Sequence, residues 1–157
     1  MRKTTYFEPL PFEGWPDPKD LKPYFLAPPG QEWSYVGRND SWVLSAEGLY
    51  GTEGKAKLKE QVEAHLLMWG HPQHGVLLIY RKYGGGYREA FTSKGDMSRL
   101  REIVRTSHDD HMPVGLYIPF AEAWKAVKEF IETDGELPKS IAWVANRNLP
   151  PNTFPDP

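Results

Sequence analysis

The sequence predicts a single α+β domain with a mostly antiparallel sheet, about two packed helices and an N-terminal wrap rich in proline and aromatic residues. Three observations support this fold class. The chain has 157 residues, the size of one ordinary domain. Short aliphatic and aromatic runs follow one another across glycine turns, as in antiparallel hairpins. A later segment instead repeats its apolar residues with the spacing of a helix.

The N-terminal residues 1–30 are predicted to form an extended wrap on the domain. Proline is frequent there, and because it fixes φ and lacks an N–H donor, an interior helix or central strand is not expected. A disordered tail would be poor in aromatic residues, whereas this segment carries Tyr6, Phe7, Phe12, Trp15, Tyr24 and Phe25. The domain is predicted to span residues 1–148, followed by a proline-rich tail over residues 149–157.

Two short strands and a helix are predicted next. Glu32–Val36 and Ser41–Ser45 are rich in aromatic residues, and Gly37–Asp40 would form the turn between them. The stretch Glu53–Met68 is predicted to be helical, because apolar residues recur on one helical face. Those residues are Leu58, Val62, Leu66 and Trp69.

A β-hairpin is predicted in the middle of the chain. Val76–Lys82 is a strongly apolar strand, Tyr83–Gly86 forms the turn, and Tyr87–Thr92 returns antiparallel to the first strand. Met97–Arg105 fits either a short helix or a loop, so its structure stays open. Val114–Ile118 is predicted to be a further strand.

The clearest element is a helix that begins at Phe120 or Ala121 and ends at Thr133. Its broad apolar stripe consists of Phe120, Ala123, Trp124, Val127, Phe130 and Ile131. Gly135 is a suitable residue to end the helix. A last strand is predicted over Ser140–Val144. The aromatic residues expected in the core are Trp124, Phe130 and Trp143.

Composition excludes several classes of function. The chain has no cysteine, which excludes disulfides, iron–sulfur clusters, thiolate zinc sites and a cysteine nucleophile. Its formal net charge of −2 argues against a general nucleic-acid binder, which would normally be basic. The longest apolar run, Val76–Tyr80, is far shorter than the roughly 18 residues of a membrane-spanning helix. We therefore expect a cytoplasmic protein without a membrane partner.

Two histidine pairs have a spacing found in metal sites. His71 with His74, and His108 with His111, could combine with Asp109 in a site with nitrogen and oxygen ligands. Exposed loop histidines are the more ordinary interpretation of both pairs. A metal-dependent hydrolase that uses the four histidines stays open as an alternative, but we predict neither a metal nor a cofactor.

The hairpin turn offers a second alternative. Tyr83 and Tyr87, flanked by Arg81, Lys82 and Arg88, could provide a stacking platform for single-stranded nucleic acid. Cross-strand aromatic packing with solvated charges is the more ordinary interpretation. The glycines of the turn lack the spacing of a phosphate-binding loop.

No catalytic residue is predicted. Residues of the triad types are present, namely Ser93, Asp96, His65 and His108. The serine, however, does not lie in the G-x-S-x-G turn that exposes a nucleophile. This absence of a catalytic set favours a binding protein.

The chain from Val76 to its end carries a series of short motifs. In order they are a strand ending at Tyr80 with a glycine turn, Phe91–Asp96, Ile118–Pro119, a helix with Ala123, Val127 and Phe130, Thr133–Pro138 and Ile141–Trp143. The series resembles the deaminase-associated immunity-protein family of bacterial polymorphic toxin systems. That family has a glycine-aspartate step after the central hairpin and a helix that closes in F-x-x-T-G…P. Here Asp134 stands between Thr133 and Gly135, a departure of one residue.

The resemblance implies a non-enzymatic protein that protects the producing cell. Members are small cytoplasmic α+β proteins whose partner is a cognate deaminase-type toxin domain, and inhibition would occlude the active site of the toxin. The chain cannot itself be a zinc deaminase, because that signature requires cysteine. We expect no direct binding of nucleic acid or membrane, and a monomer or weak homo-oligomer in the free state.

Contacts with a toxin are expected on loops and end segments, since immunity surfaces must vary with their toxins. The residues predicted to bind the partner are His108, Asp109, Asp110 and His111 in the Thr106–Met112 loop, Tyr83 and Tyr87 at the hairpin, and Trp15 and Tyr24 in the wrap. The acidic loop ranks first, because a nucleic-acid-binding groove is basic and demands a complementary charge. Trp15 fits a second role equally well, that of covering the sheet.

Overall fold

The computed structural model describes residues 1–7, 10–33, 40–57 and 59–156, and it confirms the α+β fold class. In chain order the strands and helices are β1 (Arg2–Tyr6), α1 (Pro18–Phe25), β2 (Ser41–Leu49), β3 (Val62–His71), β4 (Gly75–Gly84), β5 (Tyr87–Ser93), β6 (Ile103–Arg105), β7 (His111–Pro113), β8 (Tyr117–Ile118), α2 (Phe120–Glu132) and β9 (Trp143–Ala145). Neither helix in these ranges is long and apolar enough to cross a membrane.

The sheet is antiparallel at every pairing of the described strands. Its main path runs in the order β1-β2-β3-β4-β5-β9, and the short β8 pairs with β4. β6 and β7 form a separate two-stranded hairpin. The predicted hairpin of β4 and β5 is confirmed, with Gly84 directly opposite Tyr87.

The two faces of the sheet have different covers. Successive side chains of a strand point to opposite faces, so Leu78 and Tyr80 of β4 face the helices, whereas Ile79 points to the other side. We call these the helix face and the outer face. The register places Leu67 opposite both Ile79 and Val43, so all three lie on the outer face.

Both helices pack on the helix face, where most of the core lies. The α2 prediction is confirmed, and Trp124 and Phe130 are buried as expected. Trp143 is only partly buried, and its indole N–H donates to the carbonyl oxygen of Pro138 at 2.7 Å. The helix ends where Asp134 and Gly135 adopt φ values of 55° and 98°. The extra Asp134 is therefore accommodated in the left-handed region, which aspartate tolerates.

An aromatic cluster fills the core beside α1. Trp42 stacks on Phe7 with ring centroids 4.7 Å apart and meets Trp33 edge-on at 5.9 Å. Both tryptophans are fully buried, and neither indole N–H has a hydrogen-bond partner within the described ranges. Each unpaired buried donor costs about 1–3 kcal/mol. Ring burial must therefore outweigh this cost.

The predicted helix over Glu53–Met68 is wrong, because residues 62–71 form the central strand β3. Val62 and Leu66 are four residues apart, a spacing that fits one face of a helix and also one face of a strand. Ala64, between Val62 and Leu66, is also buried, as is Met68, two residues after Leu66. The buried residues of this face therefore repeat every two positions, as in a strand. Pairing with β2 and β4 decides between the two structures. Leu58, which belonged to the helical pattern, lies outside the described residues.

The N-terminal wrap packs on the domain but is not extended throughout. β1 pairs with β2 at the edge of the sheet, and α1 buries Leu21 and Phe25. The helix begins with Asp17 as its N-cap, whose side chain accepts a hydrogen bond from the Lys19 N–H at 2.9 Å. Pro18 follows at the first helical position, where a missing N–H costs nothing.

Three other predicted elements differ in extent. Val114–Ile118 contains a 3-10 turn, and only Tyr117–Ile118 is a strand. Met97–Arg105 contains both a 3-10 turn over Met97–Arg99 and the strand β6. The last strand is Trp143–Ala145, later than predicted.

The first predicted hairpin is only partly described. Ser41–Ser45 lies inside β2, as predicted. Of Glu32–Val36, only residues 32 and 33 are described, and neither is in a strand. Residues 34–36 of that strand, and residues 37–39 of the predicted turn Gly37–Asp40, lie outside the described residues.

Replacing Gly84 by alanine is expected to destabilise the fold strongly. Gly84 has φ of +86°, and a Cβ there would lie 1.9 Å from the Gln61 carbonyl oxygen. Gly86 has a similar φ of +91°, with nothing within 4 Å of its Cβ position. Gly86→Ala should therefore cost about 1 kcal/mol of unfolding free energy, and Gly84→Ala about 1–3 kcal/mol more. Urea unfolding measures both, and equal losses would contradict the close approach.

Phe130→Ala is expected to lower the unfolding free energy by about 3–5 kcal/mol, because it empties a large buried volume. Phe130 is fully buried under Trp15, with ring centroids 5.1 Å apart. Phe12→Ala is the matched control, since that ring is 54% exposed. Thermal melts should separate the two variants clearly, and an unchanged melting temperature for Phe130→Ala would refute this packing of α2.

Candidate partner-binding site

The predicted acidic loop connects β6 to β7. The Thr106 N–H donates to the Asp110 carbonyl oxygen at 2.9 Å, and the Asp109 N–H donates to the Thr106 carbonyl oxygen at 3.0 Å. Asp109 adopts a left-handed φ of 64°, which aspartate tolerates. His108 and Asp109 are exposed, while Asp110 and His111 are half-buried. The loop is therefore closed by its own hydrogen bonds and presents its carboxylates at the surface.

The charge of this loop is only weakly offset. Arg105 Nε lies 3.5 Å from Asp109 Oδ1 and donates to His111 Nε2 at 3.1 Å. The Arg105 and Asp109 side chains are 69% and 63% exposed. Exposed ion pairs contribute at most about 1 kcal/mol. A partner cation can therefore compete with Arg105 for Asp109.

Asp40 holds the loop against the sheet. Its carboxylate accepts hydrogen bonds from the Ser107 N–H and the Ser107 hydroxyl, both at 2.7 Å. The Asp40 carbonyl oxygen accepts from the Gly70 N–H at 2.8 Å, which ties the anchor to β3. Asp40 is not among the residues predicted to bind the partner. Its carboxylate is a structural anchor, with both oxygens hydrogen-bonded to Ser107.

A cleft of about 300 Å³ opens on the outer face beside this loop. We call it the outer-face cleft. Its apolar floor consists of Trp69, Ile79 and Met112, and its polar rim of Arg81, Asp110, His111 and Asn146, with Phe154 and Pro155 forming one wall. An apolar floor inside a polar rim is the composition of an interface pocket.

Tyr83 lies on the outer face two residues beyond Arg81. Its ring is parallel to that of His65, with centroids 5.3 Å apart, and its hydroxyl is 3.0 Å from His65 Nε2. Burial, helped by Glu63, raises the pKa of Tyr83 to about 12. The phenol is therefore neutral at physiological pH.

His65 connects residues of the types found in hydrolytic triads. Its Nδ1 lies 2.7 Å from Ser45 Oγ, and its Nε2 lies 3.2 Å from Glu63 Oε2. All three residues belong to β2 and β3, which are paired on both sides. The network therefore links the neighbouring strands β2 and β3 on the outer face.

Tyr87 lies on the helix face, in a different environment. The Lys82 Nζ lies 4.7 Å and 4.5 Å from the ring centroids of Tyr50 and Tyr87. It also donates to Glu136 Oε2 at 3.2 Å and to the Tyr50 hydroxyl. Burial lowers the pKa of Lys82, but these hydrogen bonds raise it more, so the net pKa is above the ordinary value. Lys82 therefore stays charged and joins Tyr87 to the end of α2.

The hairpin does not form the stacking platform of the single-strand alternative. Gly84 is opposite Tyr87, and Tyr83 is opposite Arg88, so the two tyrosines point to opposite faces of the sheet. Their rings contact His65 and Lys82 respectively. One single strand cannot stack on both rings at once.

The four histidines do not form a metal site. His71 and His74 stack at 4.5 Å beside β3 and β4, while His108 and His111 belong to the acidic loop. Burial and the charge of His74 lower the pKa of His71. Within the described parts of the chain, no three His, Cys, Asp or Glu side chains are close enough to hold a metal ion. The arrangement required by a metal-dependent hydrolase is therefore missing from these residues.

Trp15 and Tyr24 both lie in the packed wrap. The Trp15 indole N–H lies 2.9 Å from the Ser45 carbonyl oxygen, and the ring covers Phe130. Tyr24 meets Phe7 edge-on at 5.5 Å. Both side chains are half-buried and support the core. The structure thus gathers the acidic loop and Tyr83 on the outer face, and places Tyr87, Trp15 and Tyr24 elsewhere.

Comparison with known families identifies the family of this chain. Residues 51–145 match the family described as Immunity protein Imm1, a span of more than half the chain. The span runs from the turn before β3 to the end of β9, so it includes α2, the acidic loop and most of the outer-face cleft. No curated protein and no solved structure matches the chain. The chain belongs to the Imm1 family of immunity proteins.

Proposed function

We propose that this protein is a non-enzymatic immunity protein that binds a cognate nucleic-acid deaminase toxin and occludes its active site. The observation that carries the proposal is the Imm1 match over residues 51–145, because immunity proteins act on toxins. The deaminase class is supported by the motif series that resembles deaminase-associated immunity proteins, chiefly Phe91–Asp96 and Thr133–Pro138.

Charge supports the acidic loop as the first contact. An enzyme that acts on nucleic acid attracts phosphates through a basic groove. Asp109 and Asp110 can meet that groove, and opposite charges accelerate association. The loop needs no reaction of its own, because a bound protein excludes the substrate from the groove.

Rigidity supports the same site. Ordering a flexible loop on binding costs affinity. Here Asp40 and the internal hydrogen bonds of the loop order it before the partner arrives. The proposed contact residues on the outer face are His108, Asp109, Asp110, His111 and Tyr83.

The expected setting is the cytoplasm of the producing cell, where a toxin must be neutralised before release. The free protein is proposed to be a monomer or a weak homo-oligomer. Direct binding to nucleic acid is not part of the proposal, since the net charge of −2 gives no general attraction to phosphates.

Co-expression tests the function directly. Cells that produce the toxin encoded beside this gene should grow only when they also produce this protein. Purified toxin should lose its deaminase activity on adding one equivalent of the immunity protein. If co-expression does not rescue growth, the immunity function is contradicted. If the protein rescues cells from a toxin of a different enzyme class, immunity stands and the deaminase specificity is contradicted.

Reversing both loop charges should weaken toxin binding. The double variant Asp109→Lys, Asp110→Lys is expected to bind about tenfold or more weakly, mainly through slower association, because it replaces attraction by repulsion. Surface plasmon resonance at low and high salt measures both rates. The control reverses Asp20 and Glu60, two exposed carboxylates that belong neither to the loop nor to the lining of the outer-face cleft. Equal association rates for parent and loop variant at low salt would exclude the loop as the contact.

A further inference from the structure

We propose that the outer-face cleft is the anchor pocket of the toxin interface and takes one large apolar side chain of the toxin, with a neighbouring toxin carboxylate bound by Arg81. This inference rests on the proposed function and specifies the chemistry of the partner at the same site. Three features support it, namely the floor of the cleft, the charges of its rim and the rigidity of its walls.

The floor of the cleft is apolar and its volume is small. Ile79 and Met112 are only 4% and 6% exposed, and the half-buried Trp69 lies beside them. The cavity of about 300 Å³ is at the lower end of the roughly 300–1,000 Å³ usual for small-molecule sites. It therefore fits one large side chain better than a cofactor. Interface energy concentrates in such pockets, where one anchor residue is fully desolvated.

Arg81 is a cation on the rim of the cleft that forms no ion pair with a carboxylate of the described residues. Arg2, Arg99 and Arg105 each pair with a carboxylate of this chain. Arg81 makes no ion pair with any residue in the described ranges, and the same holds for Arg88, Arg101 and Arg147. Of these four, Arg81 is the arginine that lines the cleft, where it is exposed. A guanidinium binds a carboxylate through two parallel hydrogen bonds, which fix orientation as well as charge. The rim thus selects an occupant with a carboxylate on the Arg81 side.

The rim also carries a carboxylate. Asp110 lines the cleft, and Asp109 follows at the exposed tip of the loop. A toxin segment that places its carboxylate at Arg81 and its basic groove at these aspartates satisfies both charges of the rim. The reverse arrangement would oppose like charges, which disfavours binding. The rim charges therefore favour one arrangement of the toxin segment.

Hydrogen bonds hold the walls in place. Thr92 donates to Asn146 Oδ1 at 2.6 Å, and the Thr153 hydroxyl donates to the Pro150 carbonyl oxygen at 2.5 Å. Phe154 follows directly and is 36% exposed at the cleft. An aromatic ring at the mouth of a pocket adds a large apolar contact area.

The test compares variants of the cleft with matched variants outside it. Arg81→Ala and Phe154→Ala should each weaken binding about tenfold or more to the toxin domain encoded beside this gene, inactivated at its catalytic carboxylate. Arg2→Ala and Phe12→Ala are the controls. Arg2 is exposed on β1, at the edge of the sheet away from the cleft, and Phe12 is an exposed ring in the wrap. Isothermal titration calorimetry gives the affinities, and thermal melts confirm folding.

Arg81→Lys separates the guanidinium from the charge. It should restore only part of the lost affinity, because an ammonium group lacks the planar fork. If the parent binds the toxin and the Arg81 and Phe154 variants bind as tightly, the anchor pocket is refuted and the immunity function stands. If the parent does not bind this toxin, both proposals fail. A small ligand that co-purifies in the cleft and is displaced without loss of toxin binding would also overturn the anchor pocket.

Discussion

The alternation of side chains along β3 and β4 is the constraint on which the rest of the structure depends. Both are ten-residue central strands, paired on each side. Every second residue must therefore pack under the helices, and its neighbour must point to the outer face. A shift of the register by one residue would turn His65 and Arg81 towards the helices and Leu66 and Tyr80 to the outer face. The alternation of these polar and apolar residues holds the register.

The same constraint produces the functional surface. The helix face is covered by α1 and α2, so its residues are committed to stability. Among the described residues, the outer face is covered in part by the Met97–Leu100 turn, the β6–β7 hairpin, the turn after it and the C-terminal segment. The uncovered remainder becomes a cleft with Arg81 at its rim and an acidic loop beside it. The proposed interface therefore arises where the second layer of the fold is incomplete.

Polar networks make this surface rigid. Asp40 fixes the loop, and His65 links Ser45, Glu63 and Tyr83 across neighbouring strands. On the other side of the sheet, Lys82 joins two tyrosines to Glu136 and fixes the end of the β4–β5 hairpin. These contacts leave the proposed interface little ordering to complete on binding, which favours tight association.

The sequence alone determined the fold class, α2, the β4–β5 hairpin and the resemblance to immunity proteins. These follow from local spacing, capping residues and turns, which depend on neighbours in the chain. Local spacing could not distinguish β3 from a helix, because Val62 and Leu66 fit both periods. Only the tertiary structure placed Asp40 against Ser107, or Arg81 beside Asp110, since these partners are far apart in the chain. Strand pairing and loop packing bring such partners together in space. Neither can be predicted from the spacing of residues that are close in the chain.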